Sequence, residues 1–209
     1  EAIHLVTDVL PVQNWVQLTG KVLGLLSLLI ILMVLMIATG IGFQAAHGYF
    51  DFEIELYLLA FFVEIFPFLM LISVVSFISQ VLVNHKYVAH FITAAFLFIT
   101  TAGFAAIDLN HDLISFGGSL LPTYSDMNGF SYMMSSYLWI KSYWLSITFW
   151  VFVLMIPLLP RGSESSLRER IGSFTSNFAP SLKVASMLFL VWSLISGSLI
   201  FYHTNIANT

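Results

Sequence analysis

Residues 22–46 run without a single Asp, Glu, Lys, Arg or His. A hydrocarbon layer about 30 Å thick is crossed by roughly 20 apolar residues in a helix. Within lipid every backbone N–H and C=O has to be paired inside the segment, and for an isolated stretch this leaves the α-helix. Residues 22–46 are therefore read as a transmembrane helix, and any fold for this chain must be built around it. Four further stretches fit the same description. Residues 56–83 are interrupted only by Glu64, and residues 87–107 carry His90 near their start. Residues 142–159 lie between Lys141 and Pro160-Arg161, and residues 184–202 close the series. The expectation is an all-α, polytopic bundle of five transmembrane helices.

Composition agrees. Only 9% of the chain is charged and 59% is hydrophobic, with a mean hydropathy of +0.93. A soluble domain carries about a quarter of its residues as charges, so there is too little polar sequence here to cover a water-facing surface. The lipid bilayer is the expected solvent and first partner. The absence of cysteine excludes disulfides and thiolate metal sites. Seven scattered cations and a net charge of −4 argue against nucleic acid as a partner. No signal peptide opens the chain, which starts at Glu1 without a methionine. A segment cut from a longer polypeptide is expected, with a processed N-terminus as the alternative.

Lys and Arg are retained on the cytoplasmic side of a membrane. With residues 1–21 inside, the inner segments hold Lys21, Lys86, Arg161, Arg168, Arg170 and Lys183, and only Lys141 falls outside. The outer segments hold Asp51, Glu53, Glu55, Asp108, Asp112 and Asp126. The N-terminus is thus expected in the cytoplasm and the C-terminus outside it. The long outer loop, 108–135, has turn signals at Gly117-Gly118, Pro122 and Asn128-Gly129. Its apolar patches suggest that it lies on the bilayer interface or dips into it. The long inner loop, 160–181, contains an Arg-Glu-Arg cluster at 168–170.

Residues 1–21 contain Glu1, Asp8, Pro11, Trp15 and Lys21 just ahead of a span. A helix on the inner membrane surface would hold Trp15 at headgroup level. It is either a plain interfacial helix or a docking surface for a cytoplasmic partner. Glu64 lies about ten residues into the second span, where an ionisable group is costly and is usually turned toward the bundle interior. It belongs either to a transport or proton path or to a protonated carboxyl bonded to a neighbouring helix. Pro67, three residues on, can free carbonyls and kink that helix. Asp108, His111 and Asp112 offer oxygen and nitrogen ligands in a D-x-x-H-D pattern. Polar residues just beyond a span are more often solvated loop, and His203 and Asn205 read the same way. No H-E-x-x-H, G-x-x-x-x-G-K-[ST] or G-x-S-x-G occurs. No catalytic residue and no cofactor are expected in this segment.

The opening, Glu1 through Asp8, Pro11-Val12 and then Gly20-Lys21 entering a long apolar helix, resembles the cytoplasmic coupling loop of ABC-2 type transporter permeases. Further blocks are Gly48-Tyr49 with Asp51-Phe52-Glu53-Ile54, residues 81–88, and His111-Asp112-Leu113 followed by residues 124–130. Tyr143-Trp144, Arg161-Gly162 and residues 201–208 continue the series. In order and spacing these resemble the second membrane half of bacterial proteins that fuse an ABC-2 permease to an M1-family aminopeptidase-like domain. The resemblance implies a bacterial inner-membrane permease component of an ATP-driven exporter. A separate ABC ATPase subunit would dock on Glu1, Asp8, Pro11 and Trp15, with a second permease or another copy of the chain completing the unit. The alternative it implies is a membrane anchor for an extracytoplasmic peptidase domain beyond the C-terminus, without transport of its own.

Overall fold

The computed structural model describes residues 13–83, 85–107, 111–118, 131–159 and 167–207. Glu1, Asp8, Pro11 and Asp108 lie outside the described residues, as do most of the 108–135 loop and residues 160–166. All the regular structure among the described residues is helical. Helix α1 is Asn14–Ala46 and α2 is Ile54–Val83, the latter with a π-helical turn at Leu59–Ile65. Helix α3 covers residues 86–106 and has a π-turn at Ile99–Gly103. Helix α4 is Ser131–Met155, ending in a 3-10 turn at Ile156–Leu158. Two short helices, α5 (Leu167–Gly172) and α6 (Phe174–Asn177), lead to α7 (Pro180–Tyr202), which closes in a π-turn at His203–Ala207.

Four helices are long and apolar enough to cross a membrane: Asn14–Ala46, Ile54–Val83, Met134–Leu158 and Pro180–Ile206. The apolar stretch of α3, Tyr87–Gly103, is shorter. At 1.5 Å per residue it rises about 26 Å, against a hydrocarbon core of about 30 Å. Among the described residues there are thus four full-length candidate spans and one shorter apolar helix, where the sequence suggested five stretches each long enough to cross.

The boundaries move for identifiable reasons. Helix α1 starts at Asn14 with no break at Lys21, so Trp15 sits in the first turn of the span helix and not on a separate surface helix. Helix α4 begins at Ser131, well ahead of residue 142. Lys141 looked like the polar edge of that span, but the residue is only 5% exposed and its ammonium bonds within the protein. Helix α7 starts at Pro180, whose fixed φ and missing N–H suit a first helical position.

The helices alternate in direction, so their ends gather at two levels, called here the base and the top. At the base, Leu18 and Val22 of α1 pack with Val74 and Val81 of α2 and with Phe152, Ile156 and Leu158 at the end of α4. Phe174 and Leu182 lie against this cluster. Above it Leu23, Ile31, Leu35 and Phe43 of α1 are exposed, while Met33 is buried and Gly40 lies beside the Tyr57 ring of α2. Helices α4 and α7, by contrast, are in close register. Ser186, Ser193 and Ser196 are buried along one face of α7, and a Cβ at Gly197 would come within 3.0 Å of the Tyr143 ring. Lipid offers no hydrophobic drive for helices to associate. Small residues that let backbones approach, and polar groups that bond across, hold such pairs together. Two indole pins do so here: Trp150 Nε1 donates to Ser186 Oγ (3.1 Å) and Trp192 Nε1 to Ser142 Oγ (2.7 Å).

Candidate functional site

The chemistry at the top begins with a missing donor. Pro67 has no N–H, so the carbonyl four residues back, on Val63, has no α-helical partner. The chain widens here: the N–H of Phe66 goes to Phe61 O, a π-type bond five residues back. The Tyr137 hydroxyl of α4 takes up the orphan, donating to Val63 O at 2.8 Å. The Tyr137 side chain is buried, and its ring lies under Lys141, whose Nζ is 4.9 Å from the ring centroid. That ammonium donates to Gly117 O at 2.7 Å.

Gly117 belongs to residues 111–118, which dip into the bundle. Phe116 is buried, edge-on to both Phe96 and Trp144 with centroids 5.1 and 5.4 Å apart. Gly117 and Gly118 both have positive φ, at 82° and 69°, and a Cβ on Gly118 would collide with Ile140. Only glycine turns the chain back this close to α4. Trp144 Nε1 secures the other end of the segment by donating to Asp112 O at 2.9 Å. Of the apolar patch at 113–116, Phe116 is buried within the protein and Ile114 is exposed.

Beside these groups a cleft of about 820 Å³ opens between α2 and α7, with α4 as its floor. Leu138, Lys141, Ser142, Leu145 and Phe149 line the floor at helical spacing. Phe62 and Pro67 stand on one side and Leu188, Phe189 and Trp192 on the other. The lining is apolar except near Lys141, Tyr137 and the serines.

Glu64 sits in the π-turn, half-buried. The sequence singled out Glu64; it did not single out the Lys141 ammonium or the Tyr137 phenol. The available signals were a lone Lys within an otherwise uncharged helix and a proline four residues after Val63. Of the D-x-x-H-D pattern, His111 and Asp112 are among the described residues and Asp108 is not. His111 Nδ1 accepts the N–H of Leu113 (3.2 Å), and its Nε2 meets Asn205 Nδ2 at 3.4 Å. Among the described residues no three His, Cys, Asp or Glu side chains are placed to hold a metal.

At the base, Trp15 is half-exposed and its Nε1 donates to Gln13 Oε1. It lines a shallow hollow with Asn14, Ile156, Pro157 and Leu182. Arg170 of α5 lies alongside. It is only 7% exposed, and one guanidinium nitrogen donates both to Val81 O (2.6 Å) and to Leu158 O (3.0 Å). These are terminal carbonyls of α2 and α4, which lack helical partners and sit at the negative ends of both dipoles. Burial pulls the guanidinium below its ordinary pKa, yet arginine starts so high that it stays charged at neutral pH. The Arg-Glu-Arg cluster was read as polar loop, and nothing in it distinguished the buried Arg170 from the exposed Arg168.

Compared with protein-family models, with curated proteins and with solved structures, the chain matches none.

Proposed function

We propose that this chain is a membrane permease component of an ATP-driven exporter of the ABC-2 type, worked by a separate ATPase subunit at the base. In this reading the base is cytoplasmic, α3 crosses the bilayer as a fifth and shorter span, and the C-terminus emerges outside. The membrane is a bacterial inner membrane. A second permease or a second copy of the chain completes the unit.

One observation carries the reading. The first two turns of α1 are packed, through Leu18 and Val22, onto the ends of α2 and α4. Asn14 Nδ2 reaches the Ile156 carbonyl as well. A force applied just ahead of Asn14 would therefore reach α2 and α4 together, and these two helices bound the cleft at the top. A permease needs such a lever between an ATPase and its membrane helices. Packed elements with two discrete arrangements are what carry coupling of that kind.

The chain has no cysteine, so single introduced thiols report cleanly. With Gln13→Cys, modification by a membrane-impermeant maleimide only after the cell is opened is expected. A photoreactive group attached to that thiol should then cross-link to an ATPase subunit carrying a phosphate-binding G-x-x-x-x-G-K-[ST] loop. Labelling of Gln13→Cys from outside intact cells, or adducts that never contain an ATPase, would overturn the proposal.

A further inference from the structure

We propose that the cleft between α2 and α7 holds an acyl chain of an anionic phospholipid of the surrounding bilayer, with its phosphate drawn to Lys141. The inference rests on the cleft and does not depend on the exporter reading.

The volume, about 820 Å³, falls in the roughly 300–1,000 Å³ range of small-molecule sites. The shape is a trough. From Lys141 to Phe149 the floor follows α4 for about 12 Å, at 1.5 Å per residue. Phe62, Leu145, Phe149, Leu188 and Phe189 make its walls apolar. A long unbranched chain fits such a trough better than a compact polar solute does. The trough has helices on three sides only, and in a bilayer its open side meets acyl chains.

The polar end selects the head. An ammonium has three donors, and Lys141 places one on Gly117 O. Its other contact is the face of the Tyr137 ring. Among the described residues no carboxylate forms an ion pair with it. A buried ammonium usually has an anion beside it, and a lipid phosphate with no cation in its own headgroup would supply that net charge together with oxygens for the remaining donors. Ser142 adds a further donor. Its Oγ accepts from Trp192 Nε1, which leaves its own proton directed elsewhere.

The test uses the whole chain in phosphatidylcholine nanodiscs containing a small fraction of phosphatidylglycerol or phosphatidylcholine with a diazirine in one acyl chain. After irradiation, labelled peptides are mapped by mass spectrometry. Phosphatidylglycerol label is expected at Leu145, Phe149 and Phe189, about tenfold above the phosphatidylcholine label, because choline neutralises the phosphate of phosphatidylcholine whereas phosphatidylglycerol leaves its full negative charge to Lys141; that factor corresponds to about 1.4 kcal/mol. Lys141→Met should bring the two lipids to equality, and Lys141→Arg should keep the preference. Because Lys141 also holds Gly117, loss of its charge could unfold the top. Leu145→Trp, which fills the trough and leaves Lys141 alone, should abolish label from both lipids at these positions. Equal labelling by the two lipids in the parent chain, a preference that survives Lys141→Met, or label undiminished by Leu145→Trp would each overturn the proposal.

Discussion

The base and the top of this bundle each contain a buried cation bonded to main-chain carbonyls, and they use it to opposite ends. At the base, Arg170 joins the last turns of two helices within a closed apolar cluster. At the top, Lys141 holds one loop carbonyl and lies beside an open cleft. A guanidinium is planar and rigid, and one nitrogen of Arg170 holds two carbonyls at once, although its Nε–H is buried without a partner among the described residues. An ammonium is a point charge with rotatable donors, and one that spends a single donor on the protein keeps the rest for something else. What separates the two ends is the surroundings: the base cation lies in a packed apolar cluster, whereas the top cation lines an open cleft.

This contrast can be broken most severely at Arg170. Arg170→Met removes two charge-assisted bonds, each worth about 1.5–3 kcal/mol. A loss of about 3 kcal/mol or more is expected in reversible unfolding in mixed micelles, with Arg170→Lys recovering less than half. A change under 1 kcal/mol would mean that water replaces the guanidinium freely and that the base is not closed.

A smaller effect is expected at Tyr137. Tyr137→Phe leaves the Val63 carbonyl unpaired and should cost about 1–2 kcal/mol. In a chain already carrying Pro67→Ala, the restored N–H at position 67 offers that carbonyl a helical partner, and the same substitution should then cost well under 1 kcal/mol. Additive losses in this double-mutant cycle would show that the phenol is not compensating for the proline.

Smallest is the loss at the cleft wall. Trp192→Phe removes the bond to Ser142, and interhelical bonds of this kind average about 0.6 kcal/mol. The expectation is a loss near that value, read in the same micelles, with the α4–α7 pair intact. A loss of several kcal/mol would make this wall part of the closed core, and the comparison with the base would need redrawing.

Much of the fold was legible before any coordinate. The uncharged run 22–46 dictated a spanning helix because lipid leaves an isolated segment no other way to pair its backbone. The same rule found α2 and the apolar parts of α4 and α7. It failed at boundaries where polarity was mistaken for water. Lys21 and Lys141 were taken as span edges, yet both lie within continuous helices. Hydropathy records what a side chain prefers on average and says nothing of a carbonyl waiting for it. Glu64 stood out because a carboxylate in a span is rare; Tyr137 and Arg170 did not, because an aromatic near a span and an arginine in a loop are ordinary.

By itself, then, the sequence determined that this is an all-helical chain for a membrane, and it located Pro67 and the Gly117-Gly118 turn as places where regular backbone must give way. Those are local consequences of missing hydrogen-bond donors, forbidden backbone angles and the cost of bare peptide in lipid. Only the tertiary structure decided which side chain answers each gap. Tyr137 reaches a carbonyl 74 positions away in sequence, Lys141 one 24 away and Arg170 one 89 away. Such pairings depend on how helices are rotated and stacked against one another. That is settled by the packing of the whole bundle, so no local pattern records it.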